Sequence, residues 1–249
     1  MKGLVGVIAA ENSRYTSFWT DLHNLETPDG VTLDFAVGGT LGQARNTLVQ
    51  RFLQTDAGWL CMLDDDHAVD PQFLRRWLYA HETRLNAPVR HPIVASLYLM
   101  RGAPFAPTLY GAPRPGLHKD QMDLGHFSLK DFPTAGVVSQ SLDGRQVYAA
   151  GASGMFVRRD VYEAMPAPWY ELGQSDNIGE DFWFCVKAQR LGIPVQVDLD
   201  SRLGHLAPFA IWPDVIDGEW ITSIRRGSLG IAIDAADATV AQVPAEVLA

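Results

Sequence analysis

Residues 57–70 read Ala-Gly-Trp-Leu-Cys-Met-Leu-Asp-Asp-Asp-His-Ala-Val-Asp, an apolar run that ends in three consecutive carboxylates. The run Trp59 to Leu63 is short and apolar at every position, as a strand buried on both faces is. A strand that stops there delivers Asp64, Asp65 and Asp66 to one edge of a sheet. Like charges this close repel one another, and burying them is costly unless something cationic compensates. A divalent metal is the natural compensator, since Mg²⁺ and Mn²⁺ take one or two carboxylates and complete their shell with water and phosphate oxygens. The alternative is a solvated Asp-rich turn. Against it, Asp70-Pro71 already has the form of an N-cap followed by proline at the first helical position, which leaves the three aspartates without a structural task. The stretch is expected to hold a metal that carries a phosphorylated substrate.

Around this run, strand and helix patterns alternate. Leu4 to Ala10 reads as a buried strand, and Tyr15 to Leu25 as a helix with Phe18, Leu22 and Leu25 on one stripe. Val31 to Val37 reads as a second strand that ends at the tight loop Gly38-Gly39. Leu41 to Leu53 is a helix with Leu41, Ala44, Leu48 and Phe52 on one face and Arg45-Asn46 near its start. After the carboxylates come a helix from Pro71 to about Asn86 and the apolar strand Ile93 to Leu99. This order predicts βαβ units and a mostly parallel sheet flanked by helices. In such sheets ligands bind beyond the carboxyl ends of the strands, where Asp64 to Asp66 are expected to sit.

The character changes from Arg101 to Tyr148, where Pro104, Pro107, Pro113, Pro115 and Pro133 break any helix and aromatics are scattered with His118 and His126. A loop-rich insertion this long is uncommon in a compact domain unless it is functional, so it is expected to form part of a binding wall. Tyr148-Ala-Ala-Gly-Ala-Ser-Gly-Met-Phe-Val then leads into a short strand. Gly151 and Gly154 permit close approach of backbone to a ligand, and tight packing explains such glycines equally well. Glu180 to Leu191 is a helix stopped by Gly192 and Pro194, and Pro194 to Asp198 is a further strand. Beyond about Asp214 the signals are weak. The chain therefore reads as one domain over 1–249, with a regular part to about 100, a second part over 101–210 that begins with the insertion, and a short tail.

Composition excludes several classes. Net charge is −9, with a pI of about 5.1, which argues against sequence-independent attraction to nucleic acid. The two cysteines, Cys61 and Cys185, fall in apolar patterns and read as buried free thiols. The apolar stretch at the N-terminus is cut short by Glu11, Asn12 and Arg14, so it reads as a core strand and not as a signal peptide. No apolar run approaches the roughly 20 residues a membrane helix requires. No membrane insertion is expected, and the location is expected to be cytoplasmic.

Two further features carry chemistry. Gly179-Glu180-Asp181 puts two carboxylates at a helix start, where capping and the macrodipole favour them whether or not they are functional. His205 follows a strand and a Ser-Arg-Leu-Gly turn; a lone histidine is more often structural than a ligand.

In this order, the apolar strand with Asp-Asp-Asp, Gly-Ala-Ser-Gly-Met-Phe, Gly-Glu-Asp-Phe-Trp-Phe and then Gly-His-Leu resembles glycosyltransferases of the GT-A fold, particularly family-2-like enzymes of bacterial or phage type. The resemblance spans about residues 3 to 206. It implies a Rossmann-like α/β fold and transfer of a sugar from a UDP- or GDP-linked donor to a hydroxyl of a glycan, a protein or a modified nucleobase. It implies Mn²⁺ or Mg²⁺ at Asp66 and His205, with Asp64 and Asp65 at the donor. It further implies Asp181 or Glu180 as catalytic base and Ala9, Asn12, Arg45, Gly151 and Ala152 along the donor site. Many family-2 enzymes carry an acidic motif at the end of the second strand. Here that position reads Ala-Val-Gly-Gly, so reading of the base falls to backbone groups, Asn12 or Arg45.

The chemistry suits these residues on its own terms. Breaking a sugar–diphosphate bond puts negative charge on the leaving group, which a metal stabilises as a Lewis acid. A carboxylate near the anomeric carbon can take the acceptor's proton as it attacks. A retaining mechanism needs no such base, and Asp181 would then position the acceptor. Two competing readings are a nucleotidyltransferase, whose Gly-rich basic signature residues 8–15 lack, and a non-catalytic nucleotide-sugar or carbohydrate binder, for which Glu180 and Asp181 would be mere caps.

Overall fold

The computed structural model describes residues 2–10, 15–86, 93–102, 104–115, 122–173, 178–207, 210–226, 229–234 and 239–244. The chain runs β1 (Gly3–Ala9), α1 (Thr16–Asn24), β2 (Val31–Val37), α2 (Leu41–Leu53), β3 (Trp59–Asp64), the two-residue β4 (His67–Ala68) and α3 (Phe73–Asn86). Next come β5 (Ile93–Leu97), β6 (Leu109–Pro115), β7 (Met122–His126), β8 (Val137–Val138) and β9 (Ala149–Ala150). They are followed by β10 (Met155–Arg158), α4 (Arg159–Ala164), α5 (Glu180–Arg190), β11 (Val195–Arg202) and β12 (Gly204–Leu206). The remaining strands are β13 (Ala210–Ile216), β14 (Glu219–Arg226), β15 (Leu229–Asp234) and β16 (Thr239–Pro244).

Seven strands form the main sheet in the order β2-β1-β3-β10-β5-β11-β8. The parallel pairings β2 with β1, β1 with β3 and β5 with β11 are those expected of βαβ units. β10 runs antiparallel between β3 and β5, and β8 runs antiparallel at the β11 edge. Alternate residues of the central strands face opposite layers, because side chains in a strand point to the two faces in turn. Val5, Val7, Trp59, Cys61 and Leu63 pack with Phe18 and Leu22 of α1 and with Phe73, Leu74 and Trp77 of α3. Leu4, Ile8, Leu60 and Met62 pack with Leu48, Val49 and Phe52 of α2 and with Phe184 and Cys185 of α5. Each such fully buried side chain contributes about 1.5–3 kcal/mol. Both cysteines are buried and free. No helix among the described residues is long and apolar enough to cross a membrane.

Arg159, at the head of α4, locks the exit of α2. Its guanidinium donates to the carbonyls of Ala57, Leu53, Phe52 and Thr55 at 2.9, 3.2, 3.0 and 2.7 Å. These carbonyls lie at and just beyond the helix end, where the regular intrahelical partner is missing.

Two expectations shift. α3 begins at Phe73, not at Pro71: the Phe73 amide donates to the Asp70 carbonyl and the Gln72 amide to the Asp70 carboxylate, so Asp70 caps a turn ahead of the helix. The weak signals beyond Asp214 conceal antiparallel strands, which continue a second sheet of order β16-β15-β14-β13-β12-β4. That sheet ends on β4, immediately after the aspartates. Within the insertion, β6 pairs with β7 and β9 in a small third sheet.

Candidate functional site

A cleft of about 570 Å³ opens at the carboxyl ends of β1, β2 and β3. Ile8, Ala9 and Ala10 form one wall, Gly38 to Leu41 with Ala44 another, and Asp64, Asp65 and Asp66 the floor. Gly38 and Gly39 both have positive φ, 75° and 74°, a region that costs glycine nothing. Their turn leads into a capping box on α2, in which Thr40 Oγ1 accepts from the Gln43 amide and Gln43 Oε1 from the Thr40 amide. Asp65 ties the floor to the wall: its amide donates to the Ile8 carbonyl at 3.0 Å, and its carboxylate accepts from the Ala10 amide at 3.1 Å.

Arg45 lies beneath this floor and is only 2% exposed. Its Nη1 and Nη2 donate to the two oxygens of Asp64 at 3.1 and 3.0 Å, and its Nε to Glu180 Oε1 at 3.1 Å. Helix α2 aims the guanidinium inward because position 45 follows Ala44 on the buried face, with Leu48 one turn on. A buried guanidinium needs such partners, and a planar fork suits a carboxylate edge. Glu180 and Asp64 are therefore committed to Arg45. Ser153 Oγ also accepts from the Asp64 amide at 3.2 Å.

Asp181 is placed differently. Its carboxylate accepts from the Phe182 amide at 2.8 Å and, among the described residues, makes no ion pair as close as those of its neighbours. Burial pushes its pKa up, Glu180 and Asp64 push the same way, and Arg45 opposes them; the carboxyl rises to about 6. Tyr98 and Tyr110 share this surrounding: burial first, and then the Asp181 charge, hold both hydroxyls above their usual range, Tyr110 at about 12.

The remaining aspartate belongs to a separate cluster. Asp66, His67 and His205 each bring a ligand atom within 4.8 Å of the others. Antiparallel pairing of β12 with β4 sets His205 opposite His67, and their rings stack at 4.6 Å between centroids. Tyr98 stands roughly perpendicular to both rings in T-shaped contacts. Nδ1 of His205 lies 2.7 Å from the Leu99 carbonyl, which can only accept, so the ring proton is there. The other nitrogen, Nε2, then faces Asp66 Oδ2 at 3.6 Å with its lone pair when the ring is neutral. Two acceptors so placed are reconciled by a proton or a cation. Buried His67 has both ring nitrogens without a hydrogen-bond partner, although Nδ1 is 3.0 Å from Asp66 Oδ1. Burial would raise the Asp66 carboxyl, but His205 and His67 hold it well below the usual carboxylate range. A buried imidazole whose Nε2 has no partner among the described residues, a second imidazole oriented by a carbonyl and a shared carboxylate fit a divalent cation. The nitrogens suit Mn²⁺ better than Mg²⁺, which favours oxygen.

Of the residues expected along the donor site, Ala9, Asp64 and Asp65 line the cleft and Arg45 underlies it. Gly151 and Ala152 are buried, and Gly151 packs under Tyr98: a Cβ there would lie 1.9 Å from the tyrosine hydroxyl oxygen. Asn12 and His118 lie outside the described residues. A second hollow of about 430 Å³, lined by Pro104, Pro107 and His126 of the insertion with Phe105, Phe127 and Trp220, contains none of the expected donor, catalytic or metal residues. Two participants carry no sequence signal strong enough to find them. His67 follows the aspartates directly but reads as part of a turn, and Arg101 opens the insertion. Its guanidinium reaches Asp66 Oδ2 at 3.2 Å.

No protein-family model matches the chain, and no curated protein matches it by sequence. Among solved structures, A197 from STIV is similar at 16% identity and a TM-score of 0.50, over 97% of this chain and 94% of that one. Two structures of S. aureus TarS are similar at 14% and 13% identity, each with a TM-score of 0.46. They cover 79% and 80% of this chain, but 35% and 58% of the TarS chains. At these identities the likeness is one of fold. The seven-stranded, mostly parallel sheet with helices on both faces is a Rossmann-like GT-A fold, as expected from the sequence.

Proposed function

We propose that this protein is a metal-dependent glycosyltransferase that moves a sugar from a nucleoside-diphosphate donor to an acceptor hydroxyl. The observation that carries the reading is the triple carboxylate on the floor of one cleft, of which Asp66 meets the two histidines and Asp64 acts on a carboxyl raised to about 6. Asp181 is the base: ionised at neutral pH yet basic enough to be useful, it takes the acceptor's proton as the oxygen bonds to the anomeric carbon. The bond from that carbon to the diphosphate breaks, and the electron pair leaves with the nucleoside diphosphate. Asp66, His67 and His205 would hold a divalent cation, Mn²⁺ in preference to Mg²⁺, which would supply electrostatic stabilisation of the leaving diphosphate. Arg45 fixes Asp64 at the donor and draws Glu180 away from proton transfer. Ala9, Asp65 and the Gly38-Gly39 turn shape the nucleotide wall, and the insertion over 101–148 supplies the acceptor side.

The test is release of UDP or GDP from a panel of sugar nucleotides with MnCl₂ and simple glycan acceptors. Release that requires the metal and disappears in both Asp66→Ala and Asp181→Asn supports the reading. Release that is unchanged by EDTA and by both substitutions overturns it.

A further inference from the structure

Arg101 stands on the Asp66 oxygen that a metal would need. Its Nη2 lies 3.2 Å from Asp66 Oδ2, and His205 Nε2 lies 3.6 Å from the same atom. The guanidinium side chain is 45% exposed, so this contact is not enforced by burial, unlike that of Arg45. It comes from a short, tied-off loop. Leu99 bridges Pro107, the Met100 amide donates to the Ala106 carbonyl at 2.9 Å, and the Phe105 amide donates to the Gly102 carbonyl at 2.8 Å. Phe105 holds a φ of 55°, a left-handed conformation uncommon for an aromatic residue, and it packs on the core. The loop base is anchored, and the arginine projects from it over the carboxylate.

A divalent cation held by Asp66 and His205 would be bonded directly to both side chains. Arg101 in its present place would put a third positive charge within a few ångströms of it. At such separations one unit charge against another amounts to between about 1 and 4 kcal/mol near a protein surface. The two cations exclude each other unless an anion comes between them, and a diphosphate carries enough charge to accept both.

We propose that Arg101 is a displaceable counter-charge for Asp66. It holds the carboxylate whenever no metal does, and it transfers to the diphosphate of the incoming donor, so that metal loading depends on nucleotide. The proposal rests on the reading of Asp66, His67 and His205 as metal ligands. It gives Arg101 a positioning role and makes metal and nucleotide bind with positive coupling.

The experiment is Mn²⁺ binding to chelator-treated protein, followed by paramagnetic resonance of the free ion, with and without UDP or GDP. Wild type, Arg101→Met and Arg101→Lys are compared, with Asp66→Ala as the control for site identity. Without nucleotide, Arg101→Met is expected to bind Mn²⁺ about tenfold more tightly than wild type, because a competing charge is gone, while Arg101→Lys stays near wild type. With saturating nucleotide the advantage of Arg101→Met disappears, since the retained arginine then assists. Equal Mn²⁺ affinity of Arg101→Met and wild type without nucleotide overturns the displacement idea while leaving the metal site standing. Binding that survives Asp66→Ala, or no Mn²⁺ binding by any variant under either condition, overturns the metal reading and this proposal with it.

Discussion

Arg45 grips both oxygens of Asp64 at 3.1 and 3.0 Å while its Nε holds Glu180, so one buried cation orders two carboxylates 116 positions apart in the chain (180 − 64). Removing it leaves two poorly solvated negative charges beside Asp181. Arg45→Met is expected to lower unfolding free energy by about 3–5 kcal/mol, the loss typical of breaking a buried pair from one side. Urea denaturation monitored by tryptophan fluorescence measures it, and a loss under 1 kcal/mol would show that water compensates the carboxylates.

Asp181 should reveal itself through pH. Its folded pKa of about 6 lies above the ordinary value of 3.8, so the native state binds more protons than the unfolded chain between these values. Its contribution to stability is therefore fully present below pH 4 and is lost as pH rises through 6. Transfer runs the other way, since a base must be ionised: kcat/KM is expected to fall about tenfold per unit below pH 6. Asp181→Asn removes the buried charge, so at pH 8 its Tm should match or exceed wild type while transfer drops by about 10²–10⁴-fold. A variant with full activity would assign the proton transfer elsewhere.

His67 and His205 separate a ligand role from a packing role. His67→Phe keeps an aromatic ring against His205 and Tyr98 but removes both nitrogens. It is expected to fold, and to lose about 10–100-fold in Mn²⁺ affinity, as is His205→Ala. Calorimetric titration with a parallel melting curve decides the matter. Early melting with unaltered metal affinity would make both histidines core residues.

For Gly151 the expected phenotype is structural. Gly151→Ala drives a methyl into the Tyr98 hydroxyl and should cost about 1–3 kcal/mol through overpacking. Adding Tyr98→Phe should recover part of the loss. If the single variant keeps its stability but binds nucleotide poorly, the glycine meets the ligand directly.

The parts of this molecule that depend on local pattern could be read from the sequence. The apolar run at 59–63 forms a strand that ends at Asp64, and Glu180-Asp181 opens a helix, because periodicity and breakers act over a few residues. What depended on distant pairing was not legible. Nothing near His67 announces a two-residue strand, since β4 exists only because β12 returns from residue 204 to pair with it. The strands beyond residue 214 escaped notice for a related reason: their partners are one another, and Pro213 and Asp214 interrupt the alternation in β13. Arg45 could be placed near the site but not turned inward, because a charged residue on a helix reads as exposed until its buried carboxylates are known.

β5 leaves the main sheet at Leu97 and β10, its antiparallel neighbour, re-enters at Met155 on the same edge as the aspartates. The whole excursion between them is thus the connection of a hairpin, however long. Only β8, which pairs with β11 at the outer edge, lies within it; the other six strands of the main sheet would keep their order if the rest of that connection were lengthened, trimmed or exchanged. Apart from the contacts of Arg101 and Ser153, the strands that carry Asp64 and Asp66 are in this sense separate from the wall we assign to the acceptor. One could drift toward new acceptors while the other stays unchanged.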